Sequence, residues 1–353
     1  MSTIANPSIS TEISPLPRRR RPLARLRRWL RNGAVGVLAL LGVGILVGQV
    51  QQFRLARAYP AVGEMIDVGG RLVHVIRDGE GPVVVFENGP GGMAVDWSLV
   101  APAVAEFGQA FAYDRAGLGW SQPSGGPRDI SRLVSELKET LEAAGAPAPY
   151  VLVGHSYGGL IVRAFAYEYP ELGAGLVLVV AAHEDLLDIY PTEYAAKARS
   201  LAEQMGKLRG VYKLITASGI PALLDLPNPA EGHLPPALAA ARQAATVMDS
   251  SHAVAATDEM AGLAASFEHV RRVRRPLGDL PVEIIAHGRP VGAEAGVPAG
   301  LEIAVEEAWQ SMQRDLLAIS SEAALEVARG SGHDIHLEAP QVVIDAIRRV
   351  VKG

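Results

Sequence analysis

The chain has 353 residues, 49% of them hydrophobic and 20% charged, with 37 Gly, 24 Pro and no Cys. That length can bury a full core and the composition is globular, while the lack of Cys excludes a disulfide framework, thiolate catalysis and a Cys-ligated metal. The net charge of −5 hides an asymmetry: residues 1–31 carry eight Arg against the single acid Glu12, which leaves 25 basic and 37 acidic residues, or −12, beyond them; that acidic remainder has no nucleic-acid footprint.

The N-terminal segment comes first. Residues 1–31 read as a basic, disordered tail, with scattered Pro and Ser before the Arg cluster. Residues 32–53 contain no charged side chain, and 33–48 are an unbroken run of Gly, Ala, Val, Leu and Ile. About 20 such residues cross a bilayer as a helix. Arg before the run would hold that end in the cytoplasm and place the rest of the chain, from residue 59 on, outside it. The alternatives are a cleaved signal, which makes the protein secreted, and a buried or interfacial helix. Ala56-Arg57-Ala58 is a poor cleavage site, because Arg stands in its middle and it lies far from the apolar run.

Strands and helices then alternate. Residues 71–76, 82–86, 108–113, 150–153, 176–180, 281–285 and 324–328 are short runs rich in Val, Ile, Leu and Ala. Amphipathic stretches at 129–144, 159–169 and 340–351 read as helices. Near-continuous apolar strands separated by such helices predict an α/β fold, a mostly parallel sheet with helices on both faces. Residues 184–278 break the alternation. They are rich in Ala and Leu, are interrupted by Pro221, Pro227, Pro229, Pro235 and Pro236, and show no clear strand. They read as an inserted helical cap.

The chemistry centres on Val151-Leu152-Val153-Gly154-His155-Ser156-Tyr157-Gly158-Gly159, a strand running into a small-residue turn and then a helix. Such a turn exposes its Ser in a strained backbone at the top of a sheet. The helix N-terminus behind it places partial positive charge where an oxyanion would develop. His155, beside Ser156, is expected to point away from the pocket.

Besides this turn the chain carries Tyr113-Asp114-Arg115-Ala116-Gly117-Leu118-Gly119-Trp120-Ser121 after a strand, and Ser331-Gly332-His333 before the last helix. With these three motifs in this order, the chain from about residue 63 to 351 resembles the α/β-hydrolase superfamily. It is most similar to bacterial members with an N-terminal hydrophobic segment. The resemblance implies Ser156 as nucleophile and His333 as general base, with His336 as the rival base. It implies an oxyanion hole made by the N–H of Tyr157 and one N–H from Glu87-Asn88-Gly89-Pro90-Gly91-Gly92. Pro90 has no N–H, so Gly89 is the expected donor, with Gly91 second.

The acid of the triad is open. Family members place it after the sixth or the seventh strand. After the sixth, Val180 stands where similar members often carry Asp, and His183-Glu184-Asp185 follows. After the seventh, Val291 holds the usual place and Glu294 comes three residues later. Asp185, Glu184 and Glu294 are therefore the candidates. Asp114 with Arg115 reads as a pair that fixes its own loop.

Ser at the elbow argues against the branches that use Asp there, the epoxide hydrolases and haloalkane dehalogenases. No H-E-x-x-H motif points to a zinc hydrolase, and no metal or cofactor is expected. The expected function is hydrolysis of an ester through an acyl-Ser intermediate. Amide or aminopeptidase-like hydrolysis, and a catalytically degenerate member that only binds, are the competing readings. The expected partners are a small ester or amide substrate and, through the N-terminal helix, a membrane.

Overall fold

In the computed structural model, which describes residues 21–224, 232–290 and 296–352, the first element is helix α1 (Arg21–Ala58). It starts inside the segment expected to be a disordered tail, so residues 21–31 are helical. Arg, Leu and Ala are strong helix formers, and Pro22 stands in the first turn, where its missing N–H costs nothing. The helix up to Leu46 belongs to one unit, and from Val47 onward it belongs with the rest of the chain. Its apolar side chains stand exposed, Leu38 by 66% and Leu40 by 74%, and it is long and apolar enough to cross a bilayer.

Beyond it lies one eight-stranded sheet. The strands are β1 (Glu64–Val68), β2 (Arg71–Asp78), β3 (Val83–Glu87), β4 (Gln109–Tyr113), β5 (Tyr150–His155), β6 (Gly173–Val179), β7 (Val282–His287) and β8 (Ala323–Ala328). Their order is β1-β2-β4-β3-β5-β6-β7-β8. The pairs β1–β2 and β2–β4 are antiparallel, and every later pair is parallel. β1 is absent from the expected strands because Glu-Met-Ile-Asp-Val alternates at a half-exposed edge. Its signal is the turn that follows. Gly69 and Gly70 both take positive φ, 64° and 87°, between the paired residues Val68 and Arg71. That is the two-residue hairpin turn that Gly-Gly favours.

Alternate side chains of the buried strands face two separate cores. Val85, Leu152 and Ile284 pack with Leu137 of α3 (Ile130–Ala143), Phe165 of α4 (Tyr157–Glu168) and Val270 of α9 (Leu263–Val273). Phe86, Val153 and Val177 pack on the other face with Trp97, Met312 of α10 (Glu302–Asp315) and Ile347 of α12 (Pro340–Lys352). Asp129 caps α3, its side chain accepting from the Arg132 N–H.

Between β6 and β7 the described residues hold no strand. They form α5 (Leu186–Ile189), α6 (Thr192–Ala217), α7 (Pro236–Val247), α8 (Ser251–Ala261) and α9. Helix α9 does not behave as cap. Its Phe267 and Val270 are part of the sheet's own core. Pro221 opens a 3₁₀ turn and Pro236 opens α7. Pro227 and Pro229 lie outside the described residues.

Candidate active site

Ser156 sits between β5 and α4 with φ 54° and ψ −119°. Positive φ in a non-Gly residue costs about 1–3 kcal/mol and persists only where the surroundings impose it. Here they do. The Ser156 N–H donates to the Val179 carbonyl at 3.0 Å, and the Ser156 carbonyl accepts from Gly159 and Ala182 at 3.0 and 2.9 Å. A Cβ on Gly158 would lie 2.4 Å from the Glu87 carbonyl oxygen, so only Gly lets α4 start this close to β3. The N–H of Tyr157 is the first of α4 and has no intrahelical acceptor. The Tyr157 hydroxyl is buried and shares a hydrogen bond of 2.8 Å with Ser266.

The loop after β3 turns sharply. Gly92 N–H donates to the Gly89 carbonyl at 3.1 Å, and Gly91 has φ 67°. With Pro90 before it, this is the signature of a type II turn. The turn brings the Gly89 backbone against Ser156: a Cβ built on Gly89 would lie 3.4 Å from Ser156 Cβ and 3.7 Å from its Oγ. The Gly89 N–H has no acceptor among the described residues, as an oxyanion donor requires.

Arg115 holds that turn from behind. Its guanidinium is 2% exposed. Nη1 donates to the Asn88 carbonyl and Nη2 to the Gly89 carbonyl, both at 2.8 Å. Nε and Nη2 also form a fork on Glu259 of α8, at 2.9 and 2.7 Å, and Nη1 meets Glu87 at 2.5 Å. Arg128 shares Glu259 at 3.0 Å. Arg115 therefore ties the cap, the sheet and the loop after β3 together, and it is not paired with Asp114. Asp114 fixes its own loop, as expected, by accepting from Trp120 N–H at 3.0 Å, and also from His74 at 2.8 Å and Ala94 N–H at 2.7 Å. No local pattern reveals the role of Arg115, because its partner Glu259 is 144 residues away.

Ser156, Gly89, His155, His333 and His336 line one cavity of about 190 Å³, with Asp96 and Arg242 in its wall. His333 stands in the loop after β8, ahead of the short helix α11 (Ile335–Glu338). His155 does not point away. Its Nε2 donates to the His333 carbonyl at 2.9 Å, and its ring lies 4.9 Å from that of His333 and 4.4 Å from that of His336. Burial, reinforced by neighbouring His155, pushes the His333 imidazole down to about 4 against a partial pull upward from Asp334. Burial takes His155 down to about 4 as well, against a smaller upward pull from its bond to the His333 carbonyl. Both rings are therefore neutral near pH 7, the form a general base needs.

His155, Asp334 and His336 also bring potential metal-ligand atoms within 4.8 Å of one another. His155 Nε2 is already hydrogen-bonded to the His333 carbonyl there.

Glu184 and Asp185, two of the acids named from the sequence, are not on His333. Glu184 binds Arg163 at 2.8 Å and lines a separate cavity with Tyr167 and Arg274. Burial pushes its carboxyl up, but Arg163 outweighs that and holds it at about 2. Asp185 accepts from Arg271 at 2.6 Å and Arg274 at 3.0 Å. Burial raises its carboxyl too, and the two arginines bring it below its usual range. Both acids fix the root of the insertion, a correction of the expectation that one of them orients the base. Glu294 lies outside the described residues. Val180, fully buried at the end of β6, takes φ 46°. This conformation is strained for a β-branched residue. Next to His333 in the chain is Asp334, and His287 and Glu306, 3.8 Å apart, line a second cavity together with His333.

Comparison with known proteins bears on the fold and the family. Residues 84–346 match the model of the "Alpha/beta hydrolase family". The uncharacterized protein YqjL of Bacillus subtilis is 25% identical over 77% of this chain and 84% of its own length. Among solved structures, a mutant form of an epoxide hydrolase from Bacillus megaterium superposes with a TM-score of 0.60 at 18% identity, covering 82% of this chain and all of its own. A thermophilic esterase of Thermogutta terrifontis does so at 0.55 and 20%, covering 82% of this chain and 97% of its own. At such identities these structures speak for the fold alone. The family match spans most of the chain and contains the elbow and its histidine, so this chain belongs to the alpha/beta hydrolase family.

Proposed function

We propose that the protein is a serine hydrolase that cleaves a carboxylic ester through an acyl-Ser156 intermediate. The observation that carries this is that the strained Ser156, Gly89 with its N–H unpaired among the described residues, and neutral His333 line one small cavity; the Tyr157 N–H, next to Ser156 at the start of α4, is the second oxyanion donor. In the first half-reaction Ser156 Oγ bonds to the carbonyl carbon and the His333 ring takes the hydroxyl proton. The charge that forms on the carbonyl oxygen is met by the two N–H groups. Collapse expels the alcohol, which receives the proton from His333. Water then repeats the sequence and frees the acid. The imidazolium formed on the way is stabilised by Asp334, the carboxylate whose charge acts on that ring. The cavity of about 190 Å³ suits a short acyl group.

The uncharged run of residues 32–53, preceded by eight Arg, supports an anchor in the membrane with the hydrolase domain outside the cytoplasm. The functional test uses the full chain in detergent micelles. It should release a burst of p-nitrophenol from a short p-nitrophenyl ester, and Ser156→Ala should abolish both the burst and fluorophosphonate labelling. A wild-type chain that binds the ester but never takes the label would instead be a degenerate binding member. Turnover of aminoacyl anilides ahead of esters would favour the amidase reading.

A further inference from the structure

Helix α6 carries an apolar stripe that stands uncovered among the described residues. Leu201, Leu208, Tyr212 and Ile215 stand at i, i+7, i+11 and i+14 along it. At roughly 100° per residue they fall within about 60° of one another. All are exposed, Leu208 by 45% and Ile215 by 49%, and so is Val211 beside them. A different face meets α8. There Arg209 forms a fork on Asp258 at 2.5 and 2.8 Å, and a Cβ on Gly206 would touch Ala261 at 3.5 Å. Of the helix's 26 residues only Ala195, on that same inner face, is buried. Glu203 and Lys207 lie off the stripe, about 150° and 110° from its centre. Past the helix, Leu223 and Leu224 are exposed as well, by 44% and 56%.

The place where this stripe ends identifies what covers it. Gln52 of α1 donates to the Thr216 carbonyl at 3.1 Å and to the Val247 carbonyl at 3.0 Å, and Gln49 donates to the Ala217 carbonyl. Gly48 and Gly219 are pressed together, so that a Cβ on either would lie within 2.5 Å of the other's backbone. Gly48 is also the last residue of the apolar run that begins at 33. The chain thus leaves its lipid-length segment at the very end of α6. A long helix with one apolar face and charged flanks is the kind that lies in the plane of a membrane interface.

We infer that the exposed stripe of α6, with Leu223 and Leu224, rests on the lipid bilayer into which α1 inserts, so that the cap over the active site is a membrane-docked element. This rests on the reading of α1 as a membrane anchor. A second copy of the chain is the rival cover, but nothing ties such a copy to the α1 end of the stripe.

The absence of Cys makes the test direct. Single variants Leu208→Cys, Ile215→Cys, Glu203→Cys and Val43→Cys of the full chain are labelled with an environment-sensitive fluorophore. They are reconstituted in phosphatidylcholine–phosphatidylglycerol vesicles and quenched by doxyl-lipid or by aqueous iodide. The labels at 208 and 215 should be quenched by doxyl-lipid about fivefold more strongly than the label at 203, and the label at 43 should behave like them. Lipid quenching at 43 with only iodide quenching at 208 and 215 overturns the inference and leaves the anchor intact. No lipid quenching at 43 overturns the anchor reading and the inference with it. Shielding at 208 and 215 that vanishes when the protein is diluted with excess lipid assigns the stripe to a second copy and overturns it as well.

Discussion

Replacing Arg115 by Lys should damage catalysis more than its distance from the reaction suggests. The guanidinium spans two carbonyls of the oxyanion loop, at 2.8 Å each, and a bidentate fork on Glu259 at 2.7 and 2.9 Å. Lys has one nitrogen and cannot serve both sets. At least two buried acceptors lose their donors, at roughly 1–3 kcal/mol each, and the total destabilisation is expected at about 3–5 kcal/mol. For a body of this size that lowers the melting temperature by roughly 6–15 °C. The loop carbonyls are no longer held, so the Gly89 N–H drifts from the oxyanion position, and kcat should fall about 100-fold with KM changed by much less. Thermal melts and steady-state hydrolysis of a p-nitrophenyl ester read both effects. Arg128→Lys is the control: Arg128 shares Glu259 at 3.0 Å and does not bond the loop, so it should destabilise without the loss of kcat. If Arg115→Lys keeps kcat within about twofold, or if Arg128→Lys loses as much, the clamp does not position the oxyanion donor.

Other outcomes follow from the same structure. Ser156→Gly should be inactive yet more stable than Ser156→Ala by about 1 kcal/mol, because Gly accepts the positive φ that Ala resists; equal stability in urea melts would mean the elbow is unstrained. The acid limb of kcat/KM should lie at about 4, since burial holds His333 there and the ring stays neutral above that value. An acid limb at or above about pH 6.5, the ordinary imidazole value, would show that a carboxylate is hydrogen-bonded to the ring. His155 and His333 both bind fewer protons folded than unfolded, so stability attributable to them is complete above pH 6.5 and declines as pH falls toward about 4. Urea melts across that range should show the decline, and a flat profile would refute it. Glu184→Gln and Asp185→Asn should keep ester hydrolysis within a few-fold while lowering the melting temperature, because their carboxylates hold Arg163, Arg271 and Arg274; loss of turnover in a variant that still folds would return that residue to the triad.

Much of the fold is legible because it depends on local pattern. The Val- and Leu-rich runs between amphipathic helices announce a parallel sheet, and residues 184–278 announce an insertion by lacking such runs. The elbow is legible because Gly-x-Ser-x-Gly between a strand and a helix is a local backbone device. β1 escapes such a reading because a short edge strand carries no buried run, and α9 reads as cap because its amphipathic pattern does not say which neighbour receives its apolar face.

By itself the sequence determined the strand–turn–helix at Ser156, the turn at Gly89 and the uncharged N-terminal run, since each follows from neighbouring residues: glycines that admit close backbone, a proline without an N–H, and an apolar stretch of membrane length. Only the tertiary structure decided which polar groups meet. It turned Glu184 and Asp185 to arginines of their own, set Glu259 of the cap behind the loop after β3, and brought His155 against His333. Those partners are 21, 86, 144 and 178 residues apart, and such groups pair by proximity in space, which no local pattern encodes.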